Sequence, residues 1–111
     1  MSELSKKKCV ACSADVPPLK GDAFIPYKTQ LAEGWNIVDE HHLEKEYRFK
    51  NFKEALAFTC ALGKIAEEEG HHPTITLTWG KVTVKLFTHK IHGLSENDFI
   101  LAAKCDTIVL G

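Results

Sequence analysis

Two alternating, β-branched runs flank Gly80-Lys81: Thr74-Ile75-Thr76-Leu77-Thr78-Trp79 on one side and Val82-Thr83-Val84-Lys85-Leu86-Phe87-Thr88 on the other. No other stretch constrains the chain as much. Strict alternation marks half-buried strands, and a glycine leading a two-residue loop suits a type II′ hairpin turn. With Gly80 and Lys81 as the loop, Trp79 faces Val82, Leu77 faces Val84 and Ile75 faces Leu86. All six share one apolar face, so the register is self-consistent and Trp79 reads as sheet core. Carried further, the same ladder sets Pro73 opposite Thr88 and His72 opposite His89. Directly opposed residues have Cβ atoms about 5 Å apart. The hairpin is therefore expected to bring His89 beside His71 and His72.

The remaining elements follow from similar signals. Trp35-Asn36-Ile37-Val38 reads as a short strand, Asp39 to His42 as a polar turn, and Leu43 to Phe49 as a second alternating strand. Leu43, Tyr47 and Phe49 point one way, and Glu44, Glu46 and Arg48 the other. Asn51 can cap a helix, with Glu54 bonding back to the cap. Its expected apolar stripe is Phe52, Ala55, Leu56, Thr59, Leu62, Gly63 and Ala66, and Gly70 can end it in the left-handed region. Ser95-Glu96-Asn97-Asp98 is a capping box before a last helix with Phe99, Ile100, Leu101, Ala102, Cys105 and Ile108. A short helix is expected near Pro26, which fits a first helical turn. Strands joined by hairpins, with helices between, argue an α+β fold. The expected architecture is a four-stranded antiparallel sheet with about three helices packed on one face.

With 111 residues the chain is one domain, 1–111, with an arm over 1–20. A net charge of −1 provides no field to recruit nucleic acid or an anionic membrane. No apolar run reaches the length of a membrane helix, and the lysine-rich start lacks a secretory pattern, so a cytoplasmic protein is expected. Cys9 and Cys12 form a lone C-x-x-C, half of a zinc site at most. Four reduced thiols are the expectation, with Cys60 and Cys105 in helical core.

Chemistry concentrates at Glu67-Glu68-Glu69-Gly70-His71-His72-Pro73, where a helix gives way to a strand. Histidine titrates nearest neutrality. A helix C-terminus favours a cation, which suits His71 as a general acid. The same dipole disfavours the three glutamates there, and Glu67, four residues before His71, can orient an imidazole or a ligand. Glu68 and Glu69 read as surface, Asp98 as a capping acid, and His41, His42 and His92 as surface or loop. Phe87 offers an aromatic face for a flat ligand.

The pattern Glu67-x3-His71-His72-Pro73-x5-Trp79-x9-His89-x8-Asp98 resembles the signature of the pterin-4a-carbinolamine dehydratases. Gly34-Trp35, the run Tyr47-x-Phe49-x-x-Phe52-x-x-Ala55-x-x-Phe58, Thr88-His89 and Gly93-Leu94-Ser95 agree, and the resemblance spans roughly residues 34–106. It implies the same α+β fold, a homodimer or homotetramer, and loss of water from a 4a-hydroxytetrahydropterin to give quinonoid dihydropterin. It implies no metal and no other cofactor. By position, His71 and His89 would be the acid/base pair and His72 would mainly bind the pterin. Pro73 and Thr88 would shape the pocket, and Glu67 would support it. Two alternatives share these residues: a dehydratase-like protein of molybdopterin metabolism, and a non-catalytic or zinc-binding regulatory dimer using histidines with Cys9 and Cys12.

Overall fold

The computed structural model describes residues 4–9 and 17–108. The sheet is antiparallel throughout, with strands β1 (Asn36–Val38), β2 (His42–Arg48), β3 (Thr74–Thr78) and β4 (Lys81–Leu86) in the order β1-β2-β4-β3. Burial alternates along β4, and β3 exposes every second residue. Among the described residues, one sheet face is therefore covered and the other is open. Leu43, Val82, Val84 and Leu86 pack on the covered face with Ala55, Phe58 and Leu62 of helix α2 (Phe52–Glu69) and Phe99 of helix α3 (Glu96–Cys105). A four-residue helix α1 (Ile25–Lys28) follows a 3₁₀ turn, with Pro26 in its first turn as expected. Phe24 and Tyr27 from this segment lie against the Phe99 ring.

The hairpin exists, but its register differs from the expected one. Thr78 pairs with Lys81, Leu77 with Val82 and Ile75 with Val84, so the loop is Trp79-Gly80. Neither loop residue adopts a left-handed φ, which excludes the type II′ turn. Gly80 is needed for a different reason. Its carbonyl accepts from Phe49 N–H at 2.8 Å, and a Cβ on it would sit 2.9 Å from the Phe49 carbonyl oxygen. The end of β2 thus presses on the turn. A shift of two residues keeps the same side chains on the core face, which is why the sidedness survives. Trp79 does not stay in the core: it lies on the turn, 68% exposed.

Strand β4 also ends early. Thr88 leaves the ladder and bridges to Gly93, and His89–Ile91 form a 3₁₀ turn. His72 and His89 are therefore not ladder partners.

Helix α2 begins on the Asn51 cap, whose side chain accepts from Glu54 N–H at 2.9 Å. Glu54 reaches the Lys50 N–H rather than closing a box. Gly70 ends the helix at φ 65°, its N–H bonded to the Ala66 and Glu67 carbonyls. The buried stripe runs through Ala55, Phe58, Leu62 and Ala66, whereas Phe52, Leu56 and Cys60 are exposed. The expected stripe was rotated because it centred on Phe52 and passed over Phe58.

Lys45, on the core side of β2, forms an ion pair with Asp106 at 2.8 Å. Tyr47 hydroxyl and Trp35 Nε1 donate to the same carboxylate. This network pins the end of α3 to the sheet, and Lys45 lies over the Tyr47 ring. Burial, then the Asp106 hydrogen bond, pushes the Tyr47 hydroxyl well above the usual tyrosine range.

Candidate active site

The site residues come from three places: the last turn of α2 with its exit (Glu67, His71, His72, Pro73), the exit of β4 (Thr88, His89), and the first turn of α3 (Asp98). Gly70 turns the chain sharply, so His71 and His72 leave α2 in different directions. His71 Nε2 lies 2.6 Å from Asp98 Oδ1. A carboxylate can only accept, so Nε2 carries the proton and Nδ1 is left for other work. Asp98 is fully buried and His71 is 14% exposed.

Asp98 is held by more than the histidine. Its Oδ2 accepts from Thr88 Oγ1 and from Ser95 N–H, each at 2.9 Å. Thr88 spends its only hydroxyl proton on Asp98, so Ser95 is the donor in the 2.9 Å contact between the two hydroxyls. Ser95 Oγ in turn accepts from the Asp98 N–H, completing the capping box. The acid expected to be a simple cap is thus also the partner of His71.

This network replaces the ladder as the link between the two histidine-bearing segments. His71 and Thr88 touch opposite oxygens of one carboxylate, and His89 follows Thr88 directly. His89 is exposed, with its ring 4.2 Å from the Phe87 ring. Phe87 also carries the His41 ring at 4.6 Å, so a row of three rings runs from His89 to the β1–β2 turn. His41 and His42 are half-buried rather than free on the surface. Burial, then the nearby Lys85 charge, lowers the His42 pKa from its ordinary value.

His72 points to solvent. Its Nε2 donates to Glu67 Oε1 at 2.8 Å, with both side chains largely exposed. Glu67 therefore orients His72, not His71. Pro73 is half-buried between them and β3. Glu69 is not on the surface: its side chain is 6% exposed and faces the arm.

Among the described residues no group of three or more His, Cys, Asp or Glu is arranged to hold a metal ion. Cys9 uses its thiol as a donor to the Asn97 carbonyl. Cys12 lies outside the described residues.

A family profile described as pterin 4 alpha carbinolamine dehydratase matches residues 18–108. The chain belongs to that family. A protein of Alkaliphilus metalliredigens, provisionally named pterin-4-alpha-carbinolamine dehydratase, is 56% identical over 96% of each chain. One of Rubrobacter xylanophilus with the same provisional name is 52% identical, covering 97% of this chain and all of that one. A crystal structure titled transcriptional coactivator/pterin dehydratase from Brucella melitensis matches with a TM-score of 0.74 and 29% identity, over 80% of this chain and 95% of that one. A pterin dehydratase-like protein described as a RuBisCO assembly factor in the alpha-carboxysome matches with a TM-score of 0.57 and 26% identity, over 67% and 87%. In this family member, the His71–Asp98–Thr88 network joins the three segments of the signature. Sequence spacing alone gave no sign that Asp98 reaches His71. The available signal was the place of Asp98 at the end of the family signature.

Proposed function

We propose that this family member dehydrates a 4a-hydroxytetrahydropterin to quinonoid dihydropterin and water. The observation that carries the reading is the buried carboxylate of Asp98, shared by His71 and by Thr88, the neighbour of His89. In this reading the C4a–O bond breaks and the hydroxyl leaves as water, taking a proton from His71. His89 accepts the proton that a ring nitrogen releases as the new double bond forms. Each such transfer typically contributes about 10²–10⁴-fold. Asp98 holds the His71 Nε2–H and fixes the ring's orientation, so the proton given to the hydroxyl is the Nδ1–H of the imidazolium form. His72, steadied by Glu67, binds the pterin at the solvent edge. Pro73 and Thr88 shape the wall, and Phe87 provides a flat surface beside His89.

The test is the dehydration of synthetic 4a-hydroxytetrahydropterin, run with and without a chelator, on wild type and on His71→Ala and His89→Ala. Loss of turnover in both folded variants, with no chelator effect, is the expected result. Unchanged turnover in both would overturn the assignment, and chelator-sensitive turnover would favour a metal. The expected homodimer or homotetramer belongs to the same reading. Exposed Phe52, Leu56 and Trp79 supply apolar surface for it, and sedimentation at micromolar concentration checks it.

A further inference from the structure

Cys9 bonds to both segments that carry the His71–Asp98 pair, at Glu69 and at Asn97. Its backbone N–H donates to Glu69 Oε1 at 2.8 Å, two residues before His71. Its thiol donates to the Asn97 carbonyl at 3.6 Å, one residue before Asp98. Burial, then the Glu69 charge, pushes this thiol up to about 12, so it remains a donor across the neutral range. The other Glu69 oxygen lies 3.8 Å from Lys104 Nζ, and Lys104 donates to the Ser5 carbonyl at 3.0 Å. Leu4 anchors this segment in the core at 1% exposure. A buried acid at a helix C-terminus opposes the dipole and loses its hydration. Here the arm's N–H and Lys104 answer both costs.

We propose that residues 4–9 are a working part of the candidate dehydratase centre. Cys9 and Glu69 form a clip that sets the separation of His71 and Asp98, and Glu69 is a positioning residue. The inference rests on the proposed dehydratase reading for its kinetic consequence, but not for its structural one. The clip ties the end of α2, through the Glu69 carboxylate, to the start of α3, through the Asn97 carbonyl. Without it, α2 can drift from α3, and the His71–Asp98 hydrogen bond is the first contact to lengthen. Misplacement of a catalytic group by about 1 Å can cost on the order of 10²-fold in rate.

The experiment compares Glu69→Ala, Glu69→Gln and the exposed neighbour Glu68→Ala. Steady-state kinetics on 4a-hydroxytetrahydropterin are paired with nitrogen-15 NMR of the His71 imidazole in substrate-free protein. Glu69→Ala should lower kcat on the order of tenfold or more, leave KM unchanged, and weaken the sheltered His71 Nε2–H signal. Glu69→Gln keeps an oxygen for the Cys9 N–H and should restore most of both. Glu68→Ala should change neither. A folded Glu69→Ala protein with unchanged kcat and unchanged imidazole signal overturns the clip, as does a rise in KM at constant kcat. If Glu69→Ala does not fold, Cys9→Ala removes only the thiol donor and must show the same split in smaller measure. Wild type that fails to turn over the pterin defeats the functional reading, and the NMR comparison still decides the clip.

Discussion

His71 and His72 are neighbours in sequence, and each donates its Nε2 proton to a carboxylate at nearly the same distance, 2.6 Å to Asp98 and 2.8 Å to Glu67. Their surroundings differ completely. The first pair is 14% and 0% exposed, the second 60% and 79%. Exposed ion pairs are screened by water and contribute about 0–1 kcal/mol. A buried carboxylate with several donors is costly to disturb, because the partners left behind lose their hydrogen bonds. Distance alone therefore does not rank these two pairs. Burial does, and within the proposed dehydratase reading it favours His71 for proton handling and His72 for substrate steering.

The sharpest challenge to that ranking is removal of the buried pair. His71→Ala should cost on the order of 10²–10⁴-fold in kcat. Asp98→Asn keeps size and polarity but presents an amide where His71 and Thr88 both need an acceptor, so a loss on the order of 10²-fold is expected from ring disorder alone. Asp98→Ala should also lower folding stability by about 1–3 kcal/mol through the orphaned Thr88, Ser95 and His71 groups, read from urea unfolding. An Asp98→Asn enzyme with wild-type kcat would show that the buried pair is structural only.

What was legible beforehand divides along the same line. The fold class, the strand-strand-helix order, the Asn51, Gly70 and Ser95 caps, and the sidedness of the hairpin all rest on local patterns within a few residues. Errors arose where a distant backbone decides. Phe49 approaching Gly80 shifts the hairpin by two residues and moves Trp79 from core to turn. The Thr88–Gly93 bridge lifts His89 out of the ladder. Asp98 meeting His71 and Cys9 meeting Glu69 span 27 and 60 residues, and no periodicity encodes them. Lys45 shares the core face with Leu43 and Tyr47, but a lysine's charge argues for solvent; the structure receives it indoors through Asp106, Tyr47 and Trp35.

Removal of the exposed partner should do much less. Glu67→Gln retains an oxygen that can accept from His72 Nε2, and the lost charge was already screened by solvent. A change of about threefold or less in kcat/KM is expected, equivalent to roughly 0.6 kcal/mol or less, carried mainly by KM. A loss as deep as that of Asp98→Asn would mean the pterin buries Glu67 on binding, and the ranking by exposure in the free protein would no longer hold for the complex.

Salt separates the two pairs most finely. Raising ionic strength from 0.1 to 1 M shortens the screening length from about 10 Å to about 3 Å. An exposed pair feels that change, and a pair with one partner fully buried hardly does, since no ion reaches Asp98. The Glu67→Gln effect on KM should therefore shrink toward nothing in 1 M salt, while the Asp98→Asn effect on kcat should keep its size. The comparison is a ratio of ratios, variant to wild type at each salt, so general effects of salt on the assay cancel. If the Asp98→Asn deficit also faded with salt, water and ions would have access to that carboxylate in solution. The closed network of His71, Thr88, Ser95 and Asp98 would then have to open during turnover.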